Sequence, residues 1–332
     1  MSKLCIPIIQ QNKQIKGLFY SKATTQEISI ALFGECNLRC TFCVDNRRHM
    51  SKCNPEHFKH TTKLVEKILA TTEKKHIEFR IYGGELFQDK FDDSIFEAYD
   101  VFLCTITKLC RDYDKTYKLQ FASNLMHKNT ERVLKLLNKH NCTLYGSYDI
   151  VGRYTKQYQI DLFVNNALYY QKQLPNRFYV SFVASPDNIN SILTRSNLYT
   201  FDTLYRHCSI CFDYCNDNGV GAKEVDEDKL SEFVVYLIDH YPNIINIQDF
   251  KTCLKAPSKA LMMSCPIAFI IENRLIFNCC NHKQVSTQYV ENKHCFQCKY
   301  YSICPHYCPR LMSKYHGCHI KKAFEYIESE LD

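Results

Sequence analysis

The sequence predicts an α/β fold, a partial (β/α)6 TIM-like barrel followed by a small cysteine-rich domain containing a β-hairpin and helical segments. Three observations predict it. Strand-like and helix-like segments alternate six times before residue 240, the alternation then stops, and cysteine density climbs after Cys265. Six β-then-α units imply right-handed crossovers and a parallel sheet. Closing such a sheet takes eight units, so six leave an open, partial barrel.

Taken in order, strands are expected at 27–33, 76–82, 117–122, 143–148, 178–183 and 209–214, each rich in β-branched or aromatic residues. Helical spacing fills the gaps at 55–72, 92–112, 130–140, 161–174, 189–206 and 226–240. Asn54 before Pro55 and the Thr130-Glu-Arg run read as helix starts. The expected division is a barrel over 1–240, a linker or bridge over 241–264, and the cysteine-rich domain over 265–332. Within the last, apolar runs at 267–271 and 275–277 flank a polar turn and read as a hairpin with thiols at both ends.

Length and composition bound the rest. A chain of 332 residues, 45% hydrophobic and 23% charged, can bury a large core. No apolar run reaches the roughly 18 residues of a membrane span, and the first residues mix polar with apolar, so a cytoplasmic protein with no membrane partner is expected. The net charge of +7 is spread without a basic block, and no nucleic-acid partner is expected. Twenty cysteines without a secretion signal argue for metal ligation over disulfides.

Cys36, Cys40 and Cys43 form a C-x3-C-x2-C loop directly after the first strand. Three thiolates can hold three corners of a [4Fe–4S] cubane and leave one iron open to a substrate or second cofactor. A zinc knuckle is the alternative and needs a fourth ligand nearby, such as His49 or Cys53. The second strand ends in Gly83-Gly84-Glu85, where glycines permit close backbone approach and a carboxylate can accept from an ammonium group.

This spacing, with Phe42 before the third cysteine, resembles the signature of the radical S-adenosylmethionine (radical SAM) superfamily. The resemblance implies that the open iron chelates S-adenosylmethionine, which one-electron reduction splits into methionine and a 5′-deoxyadenosyl radical. It implies that Gly83, Gly84 and Glu85 meet the methionyl amino group. Ser123 and Asn124 resemble the family's Thr/Ser-Asn element, and Ser147 with Arg153 its Ser-x-Asp stretch and carboxylate-pairing arginine. Asn188 lies in the stretch that touches ribose and adenine. For the residues after Glu85, helix caps and Asx turns are the alternative.

Behind the expected hairpin stand Cys295, Cys298, Cys304 and Cys308, spaced C-x2-C-x5-C-x3-C, and then Cys318. With Cys265, Cys279 and Cys280 they resemble the SPASM extension of radical SAM enzymes, which holds two auxiliary [4Fe–4S] clusters. By position Cys265, Cys279 and Cys308 would serve the first, with Cys253 as candidate fourth ligand, and Cys295, Cys298, Cys304 and Cys318 the second. One or two zinc sites are the alternative. Cys280 replaces the aspartate of sulfatase-maturing members, against that specific activity. Cys208, Cys211 and Cys215, spaced C-x2-C-x3-C, look like another cluster loop, but along a strand Cys208 and Cys211 point to opposite faces. These three, like Cys5, Cys53, Cys104, Cys110 and Cys142, read as buried free thiols acting as small hydrophobes.

The resemblance implies a ribosomal peptide maturase that oxidises a precursor peptide by hydrogen abstraction, forming a thioether, a carbon–carbon crosslink or a related product. Dehydrogenation of a small alcohol or sugar, and a zinc-stapled binding module without turnover, are the competing readings. A reductant such as flavodoxin or ferredoxin is an expected partner. The segment before Cys36 is expected to be too short for a leader-binding module, leaving recognition to the barrel rim, the cluster domain or a separate leader-binding protein.

Overall fold

The computed structural model describes residues 25–40, 43, 51–214, 225–255, 268–271, 274–277, 297–300 and 318–330. Six parallel strands with crossover helices form a half-barrel: β1 (Thr25–Ala31), α1 (Glu56–Thr71), β2 (His76–Tyr82), α2 (Asp93–Asp112), β3 (Thr116–Ser123), α3 (Thr130–Lys139), β4 (Thr143–Ser147), α4 (Gln157–Gln173), β5 (Phe178–Ala184), α5 (Pro186–Leu193), α6 (Tyr199–His207) and β6 (Ile210–Tyr214). There follow α7 (Glu227–His240), α8 (Ile245–Lys255), β7 (Ala268–Ile271), β8 (Arg274–Phe277) and α9 (His319–Ser329). The expected partial barrel is thus observed.

The strand order is β6-β5-β4-β3-β2-β1-β7-β8. The expected hairpin forms as β7 and β8, paired antiparallel from Ala268↔Phe277 to Ile271↔Arg274. It does not stand apart from the barrel: β7 joins β1 in parallel, Ile28 opposite Ala268. Part of the stretch expected as linker is the helix α8, and α9 packs on α7.

Alternation sorts the strands into two faces. Ile77, Phe79 and Ile81 of β2, and Phe178, Val180 and Phe182 of β5, are buried on the helix-facing side. There Phe182 meets Phe201, Phe212 and Phe233 at centroid distances of 5.3, 6.0 and 6.4 Å. The opposite, concave face is polar. Arg80 Nε lies 3.1 Å from Glu27 Oε1, Ser181 Oγ donates to Asp213 Oδ2 at 2.9 Å, and Tyr145 stacks on Tyr179. Such a face belongs to a lumen open to polar contents, since isolated charges in an apolar core are costly.

Two helix boundaries differ from the sequence expectation for local reasons. The single helix expected at 189–206 is two, because Arg195 and Asn197 take left-handed φ values of 56° and 60° that no α-helix continues through. The helix α4 begins before residue 161 because Gln159 Oε1 accepts from the Thr155 and Lys156 amides at 3.0 and 3.1 Å, capping an earlier start. Among the described residues no helix is long and apolar enough to cross a membrane.

The strand β6 lies at the end of the sheet, and one side chain completes part of its pairing. Asn246 of α8 accepts from Phe212 N at 2.8 Å and donates to Phe212 O at 3.1 Å, imitating a neighbouring strand. Asn246→Ala should therefore cost about 1–3 kcal/mol, the usual penalty for leaving buried polar groups unmatched. Chemical denaturation of wild type and variant measures it, and an unchanged midpoint would show that water replaces the amide without loss.

Candidate functional site

The C-terminal ends of β1 to β4 surround an open cleft of about 190 Å³. One ordered water needs only about 15 Å³, so this space suits an organic ligand. Its lining contains Cys36, Cys40, Cys43, Gly83, Gly84, Glu85, Ser123, Asn124, Ser147 and Arg153. Ten residues chosen from four separate loops of the sequence thus share one concavity.

The three thiols come from the loop after β1. Cys36 and Cys43 are half-buried and Cys40 is 5% exposed. Burial pushes the Cys36 thiol up to about 11, and burial also raises Cys40, against the lowering influence of Arg153. Cys36 Sγ receives the Leu38 amide at 3.4 Å and the Asn124 side-chain amide at 3.8 Å. Donors aimed at sulfur are the surroundings in which a thiolate bound to a cationic metal is stabilised. Cys53, one alternative fourth ligand, is half-buried with its thiol pushed up to about 12; His49 lies outside the described residues.

Glycine at 83 and 84 is required by packing between two loops. A Cβ on Gly83 would come within 2.5 Å of the Phe33 carbonyl oxygen, and one on Gly84 within 2.0 Å of that of Glu35. In this space Gly84 N donates to Phe33 O at 2.8 Å and Glu85 N to Glu35 O at 2.9 Å. The close approach expected towards a ligand is therefore made first towards the cysteine loop itself.

Glu85 is 1% exposed, and its carboxylate gathers donors from two strand ends. Oε1 accepts from Phe87 N at 3.0 Å and Ser123 Oγ at 2.7 Å; Oε2 accepts from Asn124 N at 2.6 Å. A carboxylate offers about four lone-pair positions, so three bonds leave room for one more. Burial raises its pKa, and these hydrogen bonds together with Arg153 oppose the rise. Asn124 continues the chain, donating to Asn37 Oδ1 at 2.8 Å, while Asn37 Nδ2 donates to Met126 O at 3.1 Å.

On the far wall Arg153 Nε donates to Asp149 Oδ2 at 2.6 Å. Asp149 Oδ1 accepts from Val183 N at 3.0 Å and Asn188 Nδ2 at 2.8 Å. Asn188, fully buried, also accepts from Val151 N and donates to Val183 O. It stands behind the wall of the cleft, where it fixes Asp149 and through it Arg153. Asn37, Leu38 and Gly34 escaped the sequence reading, although Gly34 and Leu38 line the cleft and Asn37 ties it together. Asn37 adjoins a cysteine of the motif, and that adjacency is the only signal the sequence offered.

Of the cysteines expected to serve further clusters, Cys253 is 1% exposed on α8, Cys298 is half-buried, and Cys318 Sγ caps α9 by accepting from Lys321 N at 3.4 Å. Cys265, Cys279, Cys295, Cys304 and Cys308, with Cys280, Cys215 and Cys5, lie outside the described residues. Cys110 and Cys142 are fully buried, as expected of small hydrophobes. Cys208 follows α6 and Cys211 lies in β6, both with thiols pushed up to about 12 by burial. Cys104 is exposed, contrary to expectation, because it falls on the solvent side of α2.

No family model matches the sequence, and no curated protein matches it. Solved structures do. A structure titled native anSMEcpe with bound AdoMet and Kp18Cys peptide is 16% identical with a TM-score of 0.63, covering 92% of this chain and 98% of that one. Native anSMEcpe with bound AdoMet matches at 16% identity and a TM-score of 0.60 over the same shares. Streptococcus suis SuiB bound to precursor peptide SuiA is 13% identical with a TM-score of 0.54, covering 92% of this chain and 76% of that one. At these identities the likeness establishes the fold, an α/β partial barrel.

Gly84→Ala should destabilise the fold by about 3 kcal/mol or more, since a carbonyl oxygen rather than a flexible side chain occupies the space a methyl group needs. Thermal unfolding of the variant tests it. A melting temperature equal to wild type would mean that the two loops can separate at no cost.

Proposed function

We propose that this chain is a radical SAM enzyme that modifies a peptide. The observation that carries the reading is the convergence of three cysteine thiols with Gly83, Gly84, Glu85, Ser123, Asn124, Ser147 and Arg153 on one open cleft at the C-terminal rim of a half-barrel. Cys36, Cys40 and Cys43 would hold a [4Fe–4S] cluster, and the donor set fits: three thiols, two amide donors directed at Cys36 sulfur, and Arg153 close to Cys40. When bound, the cluster and S-adenosylmethionine supply a 5′-deoxyadenosyl radical that abstracts a hydrogen atom.

The protein's own part is positioning and exclusion of water. Glu85, with one acceptor position remaining, would receive the methionyl ammonium, which would favour its ionised form in a buried setting. Arg153, aimed by Asp149 and Asn188, would face the methionyl carboxylate. Ser147, Ser123 and Asn124 border the same space, and the polar concave face below it would receive the substrate. A peptide substrate is favoured by solved relatives with a bound peptide, anSMEcpe with Kp18Cys peptide and SuiB with precursor peptide SuiA.

Cys253, Cys298 and Cys318, with Cys265, Cys279, Cys295, Cys304 and Cys308, would hold two auxiliary clusters in a C-terminal SPASM region, fed by a flavodoxin- or ferredoxin-type reductant. The product would be a thioether, a carbon–carbon crosslink or a related oxidation.

Anaerobic protein with dithionite and S-adenosylmethionine should release 5′-deoxyadenosine, and Cys43→Ala should release none; equal release by the variant would overturn the assignment. Glu85→Gln should weaken S-adenosylmethionine binding roughly tenfold, about 1.5 kcal/mol for a charge-assisted hydrogen bond. Calorimetric titration reads this, and an unaltered dissociation constant would return Glu85 to a purely structural role. Cys298→Ala should keep cleavage and lose the mass change on a co-expressed precursor peptide; product formation at the wild-type rate would dismiss that cysteine from the chemistry.

A further inference from the structure

On the outer wall of the barrel, away from every cysteine motif of the sequence, one carboxylate, one thiol and one imidazole converge. Asp100 and Cys104 stand one turn apart on α2, the spacing that places two side chains on one helix face. His140 caps the C-terminus of the adjacent α3. One ligand atom from each lies within 4.8 Å of the other two. Asp100 Oδ1 is 2.7 Å from His140 Nε2, and Asp100 Oδ2 accepts from Lys139 Nζ at 2.8 Å.

The composition of this group decides what it could bind. Calcium and magnesium take oxygen donors, whereas sulfur, imidazole nitrogen and carboxylate oxygen together suit a borderline-soft cation such as Zn²⁺. Zinc bonds of about 2.0–2.3 Å set tetrahedral donors roughly 3.3–3.8 Å apart, so side-chain rotation alone would close the group around an ion. Lys139 and His140 hold the Asp100 carboxyl below the usual carboxylate range, so it is a ready anionic donor. Exposure of Cys104 gives an ion access from solvent, while the His140 side chain is only 6% exposed.

We propose that Asp100, Cys104 and His140 form a metal site for a zinc-class divalent cation, with water as fourth ligand, that staples α2 to α3. The site is independent of the cysteine cleft. The competing explanation is a plain ion pair of Asp100 with Lys139 and His140, in which Cys104 has no part.

The test uses the full chain, isolated anaerobically so that thiols elsewhere keep the metal they carry, and Zn²⁺ alone as probe. In equilibrium dialysis, wild type should retain one more equivalent of Zn²⁺ per chain than Cys104→Ala or His140→Ala. Added Zn²⁺ should raise the melting temperature of wild type more than that of Cys104→Ala. With Co²⁺, the wild-type spectrum minus that of Cys104→Ala should contain a thiolate-to-cobalt charge-transfer band. Cys104 is exposed, so its variant remains decisive even if His140→Ala fails to fold. Equal Zn²⁺ retention and equal thermal response in wild type and Cys104→Ala would overturn the proposal and leave the ion pair.

Discussion

The buried carboxylate of Glu85 is the constraint on which the rest of the cleft depends. It is enclosed by protein and draws donors from its own loop and from the loop after β3. An ionised or partly ionised carboxylate inside a protein must be matched by donors, and here the donors are the backbone and side chains that shape the site. The chain of contacts then runs through the Asn124 amide to Cys36 sulfur and Asn37, reaching the cysteine loop. Geometry at the thiols and geometry at the ligand wall are thus set by one hydrogen-bonded unit.

The opposite wall is built on the same plan with the charges exchanged. Arg153 is the cation, Asp149 its anchor, and Asn188 the amide that connects the anchor to the β5 end. A carboxylate on one side and a guanidinium on the other, each fixed from behind, suit a zwitterionic ligand lying between them. Neither charge relies on surface ion pairing, which would contribute little.

Much of this was legible in the sequence because it rests on local signals. Runs of β-branched and aromatic residues placed the six strands to within two residues, with 76–82 matching β2 and 27–33 falling two residues beyond β1, and strand ends located the residues of the cleft. What was illegible depends on non-local contact. Gly83 and Gly84 were expected to admit a ligand, yet their closest neighbours are Phe33 and Glu35, a relation set by β1–β2 pairing. Asn188 follows a strand end like its companions, but it lies buried in the first turn of α5 and outside the lining of the cleft. The break after α5 hinges on two left-handed residues, neither of them glycine, and of the two only Asn197 is a residue type favoured there. Cys104 follows an apolar stretch in the sequence and still faces outward, since helical phase rather than neighbourhood decides exposure.

Pairing of β7 with β1 has a consequence for how the chain acquires its shape. The strands β1 to β6 can assemble in order through crossovers between neighbours, but β1 keeps an unpaired edge until a segment from the far end of the chain reaches it. Contacts so distant in sequence form slowly, and an open parallel edge is an invitation to foreign strands. The nascent half-barrel is therefore most vulnerable to self-association just before its last hairpin docks, at the same edge from which the cysteine loop emerges.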